Sequence, residues 1–210
     1  YRSGGGLYLS ATDLSLDTVD ATGNQAGYYG GAVAIYQNAE VVIGSSTFDT
    51  NTAYYSGGGL WLQYLYGTLQ LDDTSITGNS STVGHGGGLA ASYYTDLVVT
   101  ASTISDNDAY YNGGGVYQDY YGSGSFEGTT LSGNRTTYGH GGGLYYNAAS
   151  GWTDDLIIAS SSVLANSAGY HGGGLYVSYA NALSLTSSVL QGNTATGSGY
   201  GGGGLYSTSV

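Results

Sequence analysis

The residues able to do acid–base chemistry are few: 14 Asp and Glu, three His, and Arg2 and Arg135 with no Lys. Two adjacent carboxylate pairs stand out, Asp72-Asp73 and Asp154-Asp155. Inverting hydrolysis of a glycoside needs two carboxyl groups about 6.5–9.5 Å apart around a water. Neighbours along a strand point to opposite faces, so neither pair meets that need. Elimination on an acidic polysaccharide needs a Lys or Arg base beside a carboxylate-held Ca²⁺, and the two Arg are a thin supply. His85, His140 and His171 share one position of a sequence repeat that elsewhere holds Ser3, Tyr29, Ser56 and Asn112. Such a tolerant column reads as surface variation. Asp106, Asp108 and Asp119 are candidates for weak Ca²⁺ binding, with scattered surface carboxylates as the plainer reading. The expectation is a protein that is not an enzyme, with no catalytic residue, no metal and no cofactor.

Composition narrows the partners. Only 8% of residues are charged and the net charge is −12, which excludes the clustered Lys and Arg that nucleic-acid phosphates require. The same charge argues against docking on an anionic membrane. No apolar run reaches the 18 residues of a spanning helix and no signal-peptide pattern opens the chain, so membrane insertion is not expected. The absence of Cys rules out a disulfide framework. The chain opens at Tyr1 and enters a repeat at once, as a processed product or part of something longer would. With 40 Gly, 24 Tyr and no Pro, Cys or Met, it suits a secreted, mechanically robust material better than a cytosolic enzyme.

The elements that position these residues follow from two periodic markers. A glycine cluster precedes an apolar residue at Leu7, Val33, Leu60, Leu89, Val116, Leu144, Leu175 and Leu205, at intervals of 26 to 31 residues. Between successive clusters lies one Asn, at 24, 51, 79, 107, 134, 166 and 193. Three apolar columns keep phase with that Asn, represented in one repeat by Leu69, Leu71 and Ile76. Stacked coils need such columns to bury a continuous core. The chain therefore reads as one domain over residues 1–210. Its fold class is an all-β, right-handed parallel β-helix (β-solenoid) of about seven coils of about 28 residues, each with three short strands and without evident caps. Coils about 4.8 Å apart make a rod about 34 Å long. A helical reading fails, because no window carries apolar residues at helical spacing for three turns.

The triple glycines read as corners where neighbouring backbones approach closely, and their eightfold recurrence before strands excludes a phosphate loop. Asn24, Asn51, Asn79, Asn107, Asn134, Asn166 and Asn193 read as an internal amide ladder. The ladder makes the glycosylation sequons at Asn79 and Asn134 poor acceptors. One outward column is aromatic at Tyr8, Trp61, Tyr117, Tyr145, Tyr176 and Tyr206, broken by Ala34 and Ala90. Stacked rings there stabilise the sheet by about 0.2–1 kcal/mol per pair. Equally, the column is a contact surface for another protofilament or for sugar rings.

The Gly-Gly-apolar element, at Gly30-Gly31-Ala32, Gly58-Gly59-Leu60 and Gly87-Gly88-Leu89, and Phe48-x-x-Asn51 resemble the repeats of chlamydial polymorphic outer-membrane proteins and related autotransporter passengers. The resemblance spans essentially all seven repeats and implies a surface-exposed or secreted, adhesin-like passenger. Gly84-His85-Gly86 and Gly139-His140-Gly141 resemble a polygalacturonase element, and a polysaccharide-active enzyme stays as the remotest reading. The chain enters and leaves its repeat in the same phase, so one subunit could continue the next as a head-to-tail filament. The leading expectation is the subunit of an extracellular filament. The alternative is an adhesin-like module that binds glycans or surfaces.

Overall fold

The computed structural model describes residues 3–10, 13–37, 40–149, 151, 153–197, 199 and 201–210. Arg2 lies outside the described residues. Every regular element among them is a short strand, all paired in parallel into four sheets that run the length of the molecule. The chain is a parallel β-solenoid of about seven turns. The third coil is representative. Its strands are Leu60–Gln63 on face A, Gly67–Asp72 on face B, Ser75–Thr77 on face C and Ser80–Ser81 on face D. Each residue sits over its counterpart one coil on: Leu60 over Leu89, Leu69 over Leu97, Ile76 over Ile104, Ser81 over Ala109.

Four strands per coil, rather than three, is a correction to the sequence reading. The face D strand has two residues, too few to show alternation. Its inward member is the small residue two places after each Asn: Ala53, Ser81, Ala109 and Ala168 are all buried.

Alternation on the other faces builds the core. In Leu60–Gln63 the two Leu point inward and Trp61 outward. In Gly67–Asp72, Leu69 and Leu71 point inward with Gln70 exposed between them. The three apolar columns named from sequence form one continuous cluster. Leu7, Leu14, Leu16, Ala21, Leu183, Leu190 and Leu205, in the first and last described coils, are covered on one side only.

A flat-sided coil must bend four times, and each corner of the third coil places at least one residue in the left-handed region: Gly57 before face A, Tyr64 and Tyr66 between A and B, Asp73 between B and C, and Gly78 between C and D. The C–D residue of the preceding coil is Thr50, at φ 53°. That conformation costs a β-branched residue on the order of 1–3 kcal/mol, and the stacked neighbours enforce it.

The triple glycine divides its labour. Gly57 supplies the left-handed φ of 67°. A Cβ on Gly58 would lie 2.2 Å from the Gly87 carbonyl oxygen of the next coil, backbone that cannot yield. A Cβ on Gly59 would meet the Gly88 oxygen at 2.8 Å and the Asn79 amide carbon at 3.2 Å, and the second coil already carries Ala32 at the equivalent place. Gly58→Ala is therefore expected to lower the thermal midpoint much more than Gly59→Ala. Equal losses in a melting experiment would refute this division.

Candidate functional site: corner ladders and the aromatic face

The seven Asn stack at the C–D corner. In each step both the backbone N–H and the side-chain Nδ2 of one Asn donate to the Oδ1 of the next. From Asn51 to Asn79 these bonds are 2.9 and 3.0 Å; the remaining steps, from Asn24 through Asn193, repeat them. The other Nδ2 hydrogen turns back to a carbonyl of the preceding coil, as from Asn107 to Ile76. Asn51 and Asn134 are 0% exposed. An unmade bond in such a place costs about 1–3 kcal/mol, so the amides close corner polar groups that the sheets leave open. Asn79 and Asn134 are as inaccessible as their neighbours.

A second ladder was not read from the sequence. At the B–C corner Ser46, Thr74, Ser102, Thr129, Ser161 and Ser188 stand one per coil. Where the later member is Ser, its hydroxyl accepts the backbone N–H of the coil before, as Ser102 does from Thr74 and Ser161 from Thr129, both at 3.0 Å; the Thr74 and Thr129 hydroxyls donate to carbonyls instead. The Ser102 and Ser161 hydroxyls each donate to the carbonyl two residues back in the chain. The column lies five residues before each Asn, and that fixed offset was the available signal.

The His column is also a ladder, which corrects its reading as surface variation. The His85 backbone N–H donates to Ser56 Oγ, Asn112 N–H to His85 Nδ1, His140 N–H to Asn112 Oδ1 and His171 N–H to His140 Nδ1. Ser, Asn and His share what this D–A corner needs, a short side chain bearing an acceptor. The bond requires neutral imidazole with Nδ1 unprotonated. Burial accordingly pushes the His85 pKa down to about 4. The His140 pKa is lowered by burial first and by His171 second.

These rings cover the outward aromatic column. His85 lies 4.5 Å from Tyr117, His140 4.7 Å from Tyr176, His171 4.2 Å from Tyr206, and Tyr29 4.6 Å from Trp61, between ring centroids. Tyr117, Tyr145, Tyr176 and Tyr206 stack on one another at 5.0–5.5 Å. Trp61 is only 7% exposed and packs with buried Ala34 and Ala90, the two gaps in the column. Of the six residues expected to form an open contact stripe, only Tyr8 is exposed. The open tyrosines stand at corners instead: Tyr54 and Tyr138 beyond face D, and Tyr66, Tyr94 and Tyr120 between faces A and B. Two further stacks run there, Tyr64–Tyr93–Tyr120 at 4.8 and 4.9 Å and Tyr66–Tyr94–Tyr121 at 5.1 and 4.9 Å.

The carboxylates are dispersed. Asp72 accepts from the Thr100 hydroxyl at 2.5 Å, while Asp73 occupies the left-handed corner position. Asp154 accepts from the Gly122 N–H at 3.0 Å and Asp155 from the Asn181 amide at 2.9 Å. Asp106 sits at the C–D corner and Asp108 on face D, far around the coil from Asp119 at the end of face A. Asp119 is 6% exposed; it accepts from the Tyr117 hydroxyl and, at 2.7 Å, from the Asn147 amide. Burial raises its pKa, against the pull of those bonds. No group of three His, Cys, Asp or Glu among the described residues is placed to hold a metal ion. Nearby, the Nε2 of inward Gln118 lies within hydrogen-bond distance of the Thr95, Gly122 and Ser123 carbonyls, and the hydroxyl of buried Tyr146 within reach of those of Gly122 and Asp155. They fill the space left where Gly124 replaces the usual Leu.

No family model, curated protein or solved structure matches the chain.

The His ladder predicts a pH dependence. The folded state holds His85 neutral down to about pH 4, whereas the unfolded chain takes up the proton near pH 6.5. Stability is therefore lost as pH falls from 6.5 to 4, by at most about 3 kcal/mol from this residue. Asp108 and Asp119, whose pKa values burial raises, act in the opposite sense over the carboxylate range. His85→Asn keeps an acceptor, so its denaturation midpoint is expected to fall less across this window than that of the parent. Parallel curves for the two proteins would contradict the assignment.

Proposed function

We propose that this chain is an extracellular structural β-solenoid whose coils assemble end to end into a filament, and that it works by scaffolding rather than by catalysis. The observation that carries the reading is the unbroken register of the coils, in which the apolar columns and the Asn ladder continue from one coil to the next. The first and last described coils keep that register, with Leu7, Leu14, Leu16 and Ala21, and Leu183, Leu190 and Leu205, half-buried against the core. The Asn ladder is polar in the matching sense: every step donates toward the later coil, so Asn24 has an acceptor directed outward and Asn193 a donor. A second copy set on in parallel register would cover the apolar residues and extend the ladder by one step. Extracellular placement rests on composition and on the resemblance to autotransporter passengers. The partner is then the chain itself, with neither nucleic acid nor a membrane involved.

Electron microscopy of the purified chain over a range of concentrations tests this. Filaments with a β-stacking repeat along the axis are expected. Leu190→Arg, which places a charge in the end coil, is expected to abolish them while leaving the β-sheet circular dichroism intact. A short monodisperse rod at every concentration overturns the proposal.

One observation favours a glycan-binding module as the second reading. A groove of about 320 Å³ runs beside Tyr66, Tyr94 and Tyr121, with Asp96 and Asp154 in its wall. Tyrosine supplies apolar area with a hydroxyl, and carboxylates accept from sugar hydroxyls. Retardation of the chain in gels containing neutral polysaccharide, relieved in Tyr94→Ala, is the expected result. Unretarded migration across a panel of such glycans removes this reading.

A further inference from the structure

We propose that the stacked tyrosines form a path for one-electron oxidising equivalents along the solenoid axis, with the Tyr117–Asp119 pair as the site where the hole comes to rest. The path has two segments. One runs from Trp61 through Tyr36 and Tyr64 to Tyr93 and Tyr120, with ring centroids 6.4, 5.8, 4.8 and 4.9 Å apart. The other runs from Tyr117 through Tyr145 and Tyr176 to Tyr206, at 5.1, 5.0 and 5.5 Å. They meet at Asp119. It accepts the Tyr117 hydroxyl hydrogen and is followed directly in the chain by Tyr120, at the end of the first segment. From Tyr36 to Tyr206 the rings cross six coil spacings, roughly 30 Å at about 4.8 Å each.

Sheet stability alone does not account for this arrangement. Stacking requires apolar area at these positions, which Leu or Phe supplies equally. The side chains used are instead Tyr and Trp, the most readily oxidised in a chain without Cys or Met. A phenol losing an electron near neutral pH must lose its proton too. At Tyr117 the balance closes within the protein: the electron passes to the oxidant, the O–H bond breaks, and the proton moves to the Asp119 carboxylate. The products are a neutral tyrosyl radical hydrogen-bonded to a carboxylic acid and an oxidant reduced by one electron. The oxidant is of the class of high-valent metal or peroxide-derived one-electron acceptors. Asp119 is held for this role by the Asn147 amide, itself fixed by the Ser178 hydroxyl at 2.9 Å.

The chain has no cysteine, so Val210→Cys, at an exposed position, takes a single ruthenium polypyridyl photo-oxidant near Tyr206. Flash oxidation of the labelled chain is expected to give a tyrosyl radical with the electron paramagnetic resonance signature of a hydrogen-bonded phenoxyl. Tyr117→Phe should remove that signal, and Asp119→Asn should change its exchangeable hyperfine coupling. The double replacement Tyr145→Phe and Tyr176→Phe keeps the rings packed but removes two oxidisable steps. It is expected to slow the appearance of the Tyr117 radical several-fold with little change in melting temperature. A radical confined to Tyr206 and Tyr176 in the labelled parent, or an unchanged Tyr117 radical in the folded double variant, overturns the proposal. Both readouts come from a single labelled chain and do not depend on filament assembly.

Discussion

The structure depends on satisfying the backbone at its corners. Parallel sheets take care of the N–H and C=O groups along each face, yet every bend turns some of them inward or along the axis, where the sheets offer no partner. With four bends in a coil of about 28 residues, the number of such groups is large against a marginal folding free energy. The chain answers with side chains that stack one above another and cap backbone groups from coil to coil: amides at every step of one corner, Ser hydroxyls at several steps of the next, and Ser, Asn or His acceptors from Ser56 onward at a third. The ladders also fix register. A strand slipped by one residue would lose its inward apolar set and three ladders together.

Glycine and tyrosine follow from the same constraint. Where the backbone of one coil touches that of the next, as at Gly58, nothing larger than hydrogen fits, so the chain surrenders side-chain packing along the D–A edge. Apolar area is regained around the outside, where aromatic rings stack in the spaces between coils and are partly roofed by the His column. The molecule thus has an aliphatic core inside the sheets and a thin aromatic layer outside part of face A, which explains how a chain with so many rings leaves Trp61 nearly covered.

What was legible in the sequence was what repeats with a change of residue class. The glycine clusters and the Asn announced the period, and the two-residue alternation of Leu69 and Leu71 around Gln70 announced strands stacked into a solenoid. The fourth strand escaped because Ser80–Ser81 is too short to alternate. The hydroxyl ladder escaped because Ser and Thr are common throughout the chain, so Ser102 and Ser161 do not stand out from their neighbours. The His column was visible but misread: Ser56, His85 and Asn112 differ in size and charge, and only the backbone N–H above each shows that they share an acceptor. The roofing of Tyr117 by His85 depends on packing between a corner and a face, which no spacing along the chain encodes.

The ladders also have direction. In the amide and hydroxyl columns the backbone N–H points toward the later coil, from Asn51 to Asn79 and from Thr74 to Ser102. In the third column it points the other way, from Asn112 back to His85 and from His171 back to His140. Aligned peptide dipoles accumulate along a helix until its ends carry partial charges, whereas strand dipoles in a sheet largely alternate. The third column thus runs against the other two and offsets part of the polarity that the amide and hydroxyl columns accumulate with each added turn.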